Sequence, residues 1–181
     1  MISMRPVRVS NFDSSVLVRE STCEALGVTG VRVREAALTD LQALLGLYEQ
    51  LTGPLDEPVP EPPPDPRAAI EQIVGDPARS LLVAELDGEL VGTVDVLIAP
   101  NLTHHARPWA LVENVVVATR ARRRGAGRAL MLRAIELARE AGCYKVNLIS
   151  GNARTGAHDF YRSLGFEATG QGFKAYLLEG A

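Results

Sequence analysis

The amino-acid sequence predicts an α/β (α+β) protein with a single mixed, mostly antiparallel sheet flanked by helices. The chain has 181 residues, of which 46% are hydrophobic, and this is enough for one domain with a sizeable core. Asp87-Gly88 separates two apolar segments and is typical of the tight turn of an antiparallel hairpin. Residues 109–150 have the pattern strand, helix, strand, which predicts a crossover between parallel strands. Together these patterns predict both kinds of strand pairing in one sheet.

The composition excludes several classes of protein. The formal net charge is −3, so no bulk electrostatic attraction to nucleic acid or to an anionic membrane is expected. No apolar run is long enough to span a bilayer, and the N-terminus lacks the pattern of a secretory signal. The two cysteines, Cys23 and Cys143, are far apart and support neither a disulfide framework nor a zinc site. These features predict a cytoplasmic protein without a metal, a nucleic-acid partner or a membrane anchor.

The first part of the chain divides into an extension and the start of the domain. Residues 1–30 show no strong period and are predicted to be an N-terminal extension to a domain that covers residues 31–181. Alternating valine and arginine in residues 31–37 predict a strand. Thr39, with a glutamine three residues later, predicts the start of a helix by a capping box. The proline-rich acidic segment 53–66 is predicted to be a loop.

The rest of the chain is predicted from turn residues and from apolar periodicity. The elements in order are a helix that opens at Asp65-Pro66, a hairpin at 80–99, a loop at 100–108, a strand at 109–118, a helix at about 126–141 stopped by Gly142, a strand at 144–150, a short helix at 154–166 and a closing hairpin at 166–179.

The junction between the strand 109–118 and the helix after it carries the clearest chemical signal. Five arginines occur among the nine residues 120–128, which we call the arginine turn. The N-terminus of a helix leaves main-chain N–H groups unpaired and carries partial positive charge, so it favours an anion. Glycines let a ligand approach that backbone closely. Arg122, Gly125 and Gly127, spaced R-x-x-G-x-G, therefore predict a phosphate-binding turn.

Two familiar phosphate-binding motifs fit this turn poorly. A Walker loop needs Lys-Ser or Lys-Thr after its last glycine, whereas Arg128-Ala129 occupy those positions. A dinucleotide-binding fingerprint needs a third glycine where Leu130 stands, and antiparallel strands precede the motif.

A third motif fits better. R-x-x-G-x-G after an apolar strand resembles the pyrophosphate loop of the GNAT superfamily of acetyl-CoA-dependent N-acetyltransferases, and FYRSLGF (160–166) resembles the C-terminal F-Y-x-x-x-G-F segment of that family. The resemblance covers roughly residues 31–178 and includes the order of elements. It implies a GNAT-like acyl-CoA N-acyltransferase fold, an N-acetyltransferase domain at 31–181, and acetyl-CoA as the co-substrate.

The resemblance also assigns residues to the co-substrate. The main chain of the signature strand would pair with the pantetheine arm, the arginine turn would bind the pyrophosphate through its amides, and a side-chain amide before the last helix would contact pantetheine. The residues so assigned are Val115, Val116, Val117, Arg122, Arg123, Arg124, Gly125, Ala126, Gly127, Arg128, Ala129 and Asn152. The side chains of the valines are expected in the core. For Arg123, Arg124 and Arg128 two interpretations stay open, phosphate neutralisation and a solvated charged surface.

Two side chains are candidates for proton transfer. Tyr161 matches the family tyrosine that lies near the thioester sulfur, where a phenol can protonate the departing thiolate; the alternative is a packing residue. Glu113 precedes the valines and is the candidate base that deprotonates the amine, with a structural carboxylate as the alternative. Its apolar neighbours predict a desolvated carboxylate. A main-chain N–H near Val115 is expected to stabilise the oxyanion.

The histidines and a cysteine supply weaker candidates. His104 and His105 precede the signature strand and are alternatives to Glu113 as the base or as lining of the acceptor pocket. His158, three residues before Tyr161, is a candidate to orient the phenol. Cys143 is interpreted as a small buried hydrophobe, so direct transfer without an acetyl-cysteine is expected.

The function predicted from these features is direct transfer of an acetyl group to a primary amine of a small molecule. Two alternatives stay open: acetylation of a peptide or protein amine, and a non-catalytic CoA-binding sensor. A homodimer is expected by analogy with the family.

Overall fold

The structure is a computed structural model that describes residues 30–52 and 63–175. The strands, in chain order, are β1 (Val31–Glu35), β2 (Arg79–Leu86), β3 (Glu89–Ala99), β4 (Trp109–Val117) and β5 (Val146–Leu148). The helices are α1 (Leu41–Thr52), α2 (Pro66–Gly75), the single turn α3 (Thr103–Ala106), α4 (Ala126–Glu140) and α5 (Thr155–Ser163). Short 3₁₀ turns at Leu38–Asp40 and Thr119–Ala121 precede α1 and α4.

The five strands form one sheet in the order β1-β2-β3-β4-β5. The first three pairs of neighbours are antiparallel, and β4 and β5 are parallel. Asp87 and Gly88 join β2 to β3 with φ values of 54° and 82°, which is the left-handed geometry that a tight hairpin turn requires. The helix α4 makes the crossover from β4 to β5. The mixed, mostly antiparallel sheet, the hairpin and the parallel crossover predicted from the sequence are therefore confirmed.

Helices cover both faces of the sheet because successive residues of a strand point to opposite sides. On β2, Val83 packs in one buried cluster with Leu44 of α1 and Ile70 of α2. Its neighbour Leu82 belongs to the other cluster, which contains Leu130 of α4. Apolar burial on both faces of one sheet holds β3 and β4 in place, and these two strands carry most of the site described below.

The strand β4 contains one residue more than β3 at the centre of their pairing. Asp95 pairs with Glu113 and Thr93 pairs with Val116, so two residues of β4 lie opposite one residue of β3. Asn114 lies within this β-bulge and has a φ of 53°, a conformation that asparagine adopts more readily than most residues. The bulge changes the direction of β4.

The pairing of β4 with β5 ends next to this bulge. The parallel register runs from Ala110 opposite Val146 to Val112 opposite Leu148 and goes no further. Within the described ranges, the main chain of residues 113–117 therefore has no strand partner on the β5 side. We call this opening, between residues 113–117 and the chain that follows β5, the strand gap.

Two helix boundaries agree with the sequence signals. Asp65 caps α2 by accepting a hydrogen bond from the N–H of Arg67 at 2.9 Å, and Pro66 is the first helical residue. Gly142 follows α4 with a φ of 72°, as a glycine at the C-terminal end of a helix commonly does.

The predicted capping box at Thr39 is wrong. Thr39 lies inside the 3₁₀ turn, and α1 begins at Leu41. The carboxylate of Asp40 accepts the N–H of Ala37 at 2.8 Å. The guanidinium of Arg34 holds that carboxylate at 2.6 and 2.9 Å, so an ion pair from β1 determines how the chain enters α1.

Several predicted segments fall wholly or partly outside the described residues. Residues 1–29 of the expected extension and residues 53–62 of the proline-rich loop are among them. Of the expected closing hairpin, residues 166–175 form no strand and residues 176–179 lie outside the described chain. Among the helices that the structure describes, none combines the length and the apolar character that a bilayer crossing requires.

Candidate active site

The strand gap exposes main chain while the valine side chains beside it are occupied by packing. Val116 is buried in the core, and Val115 and Val117 pack against it as half-buried residues. As predicted, the valines thus use their side chains for the core. The carbonyl of Val117 accepts a hydrogen bond from Arg122. The other N–H and C=O groups of residues 113–117 that face the strand gap are free to pair with an extended, amide-containing ligand, because buried main-chain groups require hydrogen-bond partners.

The arginine turn presents a row of unpaired main-chain amides at the start of α4. Within the described part of the chain, the N–H groups of residues 123–128 have no hydrogen-bond acceptor. Arg123 and Gly125 have φ values of 63° and 91°, so the chain changes direction twice before the helix begins at Ala126. The fifteen residues of α4 add the positive end of a helix dipole. This cluster of donors fits the pyrophosphate of acetyl-CoA.

Two members of the predicted set have amides that are already bonded. The N–H of Ala129 donates to the carbonyl of Gly125 at 3.0 Å, as the first regular bond of α4. The N–H of Arg122 donates to the carbonyl of Thr119 at 3.4 Å. The set of amides available for a phosphate is therefore narrower than the sequence suggested, and comprises residues 123–128.

The arginine side chains of the turn are all exposed, and three of them have partners in the protein. Arg120 pairs with Glu89 at 3.0 Å. Nε of Arg122 donates to the carbonyl of Val117 at 3.4 Å and so links the turn to the end of β4. Arg124 pairs with Asp87 of the β2–β3 turn at 2.9 Å, with both side chains largely in solvent. Exposed pairs of this kind contribute little to stability.

Tyr161 is a buried phenol on α5. It is 9% exposed and packs against Phe160 and Phe166, with ring centroids 5.3 and 6.0 Å away. Burial raises the pKa of Tyr161; the positive charge of Arg154 lowers it to a smaller extent, and the carboxylate of Glu113 raises it further. The phenol therefore stays protonated at neutral pH, as a proton donor must.

Glu113 lies at the edge of a small cavity. The cavity has a volume of about 130 Å³ and is lined by Arg79, Asp95, Leu97, Leu111 and Glu113. The expected desolvation of Glu113 is wrong, because its side chain is exposed. The register of β3 and β4 places Glu113 opposite the buried Asp95, and the cavity leaves Glu113 open to solvent.

The floor of this cavity is an ion pair that sequence reasoning missed. Asp95 is only 3% exposed, and the guanidinium of Arg79 holds its carboxylate through both Nε and Nη2. The pairing with Asp95 raises the pKa of Arg79, so the cation is permanent. A charged residue in the otherwise apolar run of β3 was the available signal, since a buried charge requires a partner.

Other predicted site residues lie away from Glu113 and Tyr161. His104 and His105 belong to α3, which precedes β4, and His104 stacks on Tyr144 with centroids 4.0 Å apart. Four residues of strand, roughly 13 Å, separate the start of β4 from Glu113.

The remaining candidates are a half-buried residue of α5 and an exposed residue of the loop before it. The ring of His158 contacts the carbonyl of Gly151 at 3.0 Å, an interaction that connects α5 to the loop before it. Asn152 is an exposed residue of that same loop. Within residues 30–52 and 63–175, no three His, Cys, Asp or Glu side chains form a cluster suited to a metal ion.

Comparison with known proteins gives the class to which this chain belongs. The family model described as the acetyltransferase (GNAT) family matches residues 44–166. Glucosamine 6-phosphate N-acetyltransferase of Trypanosoma brucei brucei is 30% identical over 146 residues, covering 78% of this chain and 92% of that protein. The chain therefore belongs to the GNAT acetyltransferase family.

Solved structures share the fold of this chain. A protein described as a transcriptional regulator from Bacillus halodurans C-125 has 34% sequence identity and a TM-score of 0.72, with 81% of this chain and 99% of that chain covered. An aminoglycoside N-acetyltransferase in complex with CoA shares the fold at 22% identity and a TM-score of 0.66, covering 81% and 93% of the two chains.

These findings confirm the fold class and the family predicted from the sequence. The protein is an N-acetyltransferase, and acetyl-CoA is its co-substrate. The unpaired amides at residues 123–128 and the strand gap are the features of the described chain that fit this co-substrate.

Gly125 provides a direct test of the arginine turn. We expect Gly125→Glu to weaken acetyl-CoA binding at least about tenfold, because a carboxylate beside the unpaired amides repels the pyrophosphate. Gly142→Glu is the matched control, since Gly142 lies at the opposite end of α4, also has positive φ, and has open space around it. Isothermal titration calorimetry measures both affinities, and circular dichroism shows that both variants are folded. Equal affinities of the two variants would contradict the assignment.

Proposed function

We propose that this acetyltransferase transfers the acetyl group directly from acetyl-CoA to a primary amine of a small molecule, with Glu113 as the general base and Tyr161 as the general acid. One observation carries the proposal. The two side chains have opposite environments, exposed for the Glu113 carboxylate and buried for the Tyr161 phenol, and the negative charge of Glu113 contributes to the raised pKa of Tyr161. The general base must be able to accept a proton, and the general acid must keep its proton until the sulfur takes it. The two groups therefore need different environments.

The cavity beside Glu113 supports a small, cationic acceptor. Its volume of about 130 Å³ suits part of a small molecule, and its polar groups are the carboxylates of Asp95 and Glu113 and the guanidinium of Arg79. Carboxylate oxygens accept hydrogen bonds from ammonium and hydroxyl groups. The Trypanosoma brucei brucei relative is named for glucosamine 6-phosphate, which is an amine on a small polar molecule. The same class of acceptor is proposed for this protein.

In the proposed reaction, Glu113 takes a proton from the amine and Tyr161 gives a proton to the departing sulfur. The amine arrives as an ammonium, and the Glu113 carboxylate removes a proton so that the nitrogen can attack the thioester carbonyl. A main-chain N–H of the strand gap near Val115 stabilises the oxyanion. Tyr161 donates its proton to the sulfur as the C–S bond breaks, and the positive charge of Arg154 stabilises the phenolate that forms. Attack leaves the nitrogen positively charged, and its second proton passes by way of water to the phenolate, which restores Tyr161. Glu113 then releases its proton to water.

Direct transfer is favoured over an acetyl-cysteine intermediate. Burial raises the pKa of Cys143, the free cysteine in the described part of the chain, so its thiol stays protonated and is a weak nucleophile. The thiol belongs to the segment between α4 and β5, next to Gly142.

Three further statements from the sequence stay predictions. They are the division into an extension at 1–30 and a domain at 31–181, the cytoplasmic location, and the homodimer. Size-exclusion chromatography with light scattering measures the last of these.

A panel of acceptors tests the proposed function. Release of free CoA from acetyl-CoA is measured with amino sugars, amino sugar phosphates, polyamines and peptides that carry a free N-terminus or lysine. We expect turnover with at least one small amine and none with peptides, because the cavity is small. Turnover with peptides alone would contradict the small-molecule acceptor. CoA binding without turnover on any acceptor would favour the sensor.

Two variants separate the proposed base from the proposed acid. With the acceptor found by the panel, Glu113→Gln should lower kcat/KM about 10²-fold near neutral pH, and the deficit should shrink as pH rises because more of the amine is already neutral. Tyr161→Phe should lower kcat by about the same factor and leave acetyl-CoA affinity within about twofold, because the ring packing is preserved. The pH–rate profiles and the affinity are measured on each variant.

The control is Glu71→Gln, which removes an exposed carboxylate of α2 that pairs with Arg67. A Glu113→Gln deficit that does not change with pH would reject the base, and a Tyr161→Phe rate equal to that of the parent would reject the acid.

A further inference from the structure

Arg79 has more hydrogen-bond donors than its partner Asp95 uses. A guanidinium carries five N–H groups, one on Nε and two on each terminal nitrogen. Nε donates to both oxygens of the Asp95 carboxylate, at 2.8 and 3.1 Å, and Nη2 donates to one of them. The other three N–H groups, two on Nη1 and one on Nη2, have no acceptor in the described part of the chain. The proposed roles of Glu113 and Tyr161 do not use these three donors.

The unbonded edge of the Arg79 guanidinium is available to the cavity beside Glu113. Arg79 lines that cavity and its side chain is 33% exposed, whereas the side chain of Asp95 is 4% exposed. Because the buried carboxylate holds Nε and Nη2, the planar guanidinium has a fixed orientation and its remaining donors are preorganised. A ligand oxygen that binds them does not have to order a mobile side chain.

The strand register limits the distance between these donors and the proposed base. Asp95 and Glu113 lie directly opposite each other on β3 and β4, and the Cβ atoms of such a pair are about 4.5–5.5 Å apart. Since the guanidinium of Arg79 lies against Asp95, its donors are about one strand spacing from the Glu113 carboxylate. An amine at Glu113 and an oxygen at Arg79 therefore need a short linker of about two or three carbon atoms. Leu97 and Leu111 line the same cavity and can contact those carbons.

The charges in the cavity favour a neutral oxygen over an anionic one. The lining contains one cation, Arg79, and two carboxylates, Asp95 and Glu113, so its net charge attracts an ammonium group. A carboxylate or phosphate of the acceptor would approach Arg79 against repulsion from both carboxylates. A hydroxyl oxygen accepts the same hydrogen bonds without that repulsion.

We propose that Arg79 is a specificity-determining residue that selects an amino alcohol as the acceptor, by donating hydrogen bonds to a hydroxyl group two or three carbons from the reacting nitrogen. Glu113 binds the ammonium, and Arg79 holds the hydroxyl and takes no part in proton transfer. This inference deepens the proposed function and rests on the cavity beside Glu113 as the acceptor site.

Three amines built on the same ring test the inference on the parent protein. They are cyclohexylamine, 2-aminocyclohexanol and 2-aminocyclohexanecarboxylate, the last two as separate cis and trans isomers. Values of kcat/KM are measured by release of CoA, at a pH at which all of the amines are ammonium ions. We expect one isomer of 2-aminocyclohexanol to exceed cyclohexylamine at least about tenfold, as one hydrogen bond to a charged group implies. It should exceed the amino carboxylate by at least about the same factor because of the repulsion from the carboxylates.

A compound that is not turned over is measured as a competitive inhibitor of the best acceptor from the panel, and its inhibition constant replaces kcat/KM in the comparison. Equal values for 2-aminocyclohexanol and cyclohexylamine would overturn the inference, because no oxygen would then be recognised. A preference for the amino carboxylate would also overturn it, since the guanidinium would then bind an anion.

The double variant Arg79→Met/Asp95→Leu shows whether the preference comes from Arg79. It removes both charges of a buried pair and leaves neither unpaired, a replacement that folded proteins commonly tolerate. We expect the ratio of kcat/KM for 2-aminocyclohexanol to that for cyclohexylamine to fall to within about twofold of one, because the hydroxyl loses its donors. A loss of folding alone would lower both values and leave this ratio unchanged. Circular dichroism shows whether the variant is folded.

Arg79→Lys is the second variant, and it decides the question if the double variant does not fold. A lysine keeps a positive charge beside Asp95 but lacks the planar second edge of donors, so the ratio should fall at least about threefold. The matched control is Arg67→Met/Glu71→Leu, which removes the exposed ion pair of α2 and should leave the ratio at the value of the parent. A preference for the hydroxyl that persists in the folded Arg79 variants would mean that another group recognises it.

Failure of the proposed function gives a different result. In that case the parent transfers acetyl to none of the small amines in the panel. A parent that acetylates a small amine but is neither acylating nor inhibited by 2-aminocyclohexanol would overturn only the inference about Arg79.

Discussion

Unpaired main-chain groups are the constraint on which this structure depends. A sheet normally satisfies its N–H and C=O groups by pairing each strand with two neighbours, and a buried group without a partner is unfavourable. In this protein one extra residue in β4 bends the strand at Asn114, and the pairing with β5 ends at Val112. The sheet therefore stays closed over its hydrophobic part and opens where a ligand with amide groups can replace the missing strand. The start of α4 also presents a row of unpaired main-chain N–H groups, and the oxygens of a diphosphate can accept hydrogen bonds from them.

If main chain holds the co-substrate, as we propose, the side chains around it can serve other purposes. The valines of β4 fill the core, and Arg122 and Arg124 bond the protein itself. The reactive side chains come from two different elements, Glu113 from β4 and Tyr161 from α5, and their surroundings differ as their proposed proton transfers require. The buried pair of Arg79 and Asp95 forms the floor of the cavity proposed for the acceptor.

The sequence was most informative where local patterns determine structure. Asp87-Gly88 predicted the hairpin, the strand–helix–strand order predicted the crossover, and the glycines of the arginine turn predicted the start of α4. The bulge at Asn114 left no pattern in the sequence, because asparagine is compatible with both ordinary and left-handed φ. The exposure of Glu113 was missed because it depends on which parts of the sheet the rest of the chain covers, which is a tertiary property. Arg79 was missed because its significance comes from its ion pair with Asp95, which lies on the next strand.

Amide hydrogen exchange measured by NMR, with and without CoA, tests the central claim most directly. If the diphosphate is bound by the start of α4, exchange at residues 123–128 should slow on addition of CoA, while the amide of Ala129, already bonded to Gly125, should change little. The main-chain N–H groups of the strand gap should be protected in the same titration. CoA that binds while exchange at residues 123–128 stays unchanged would contradict the account.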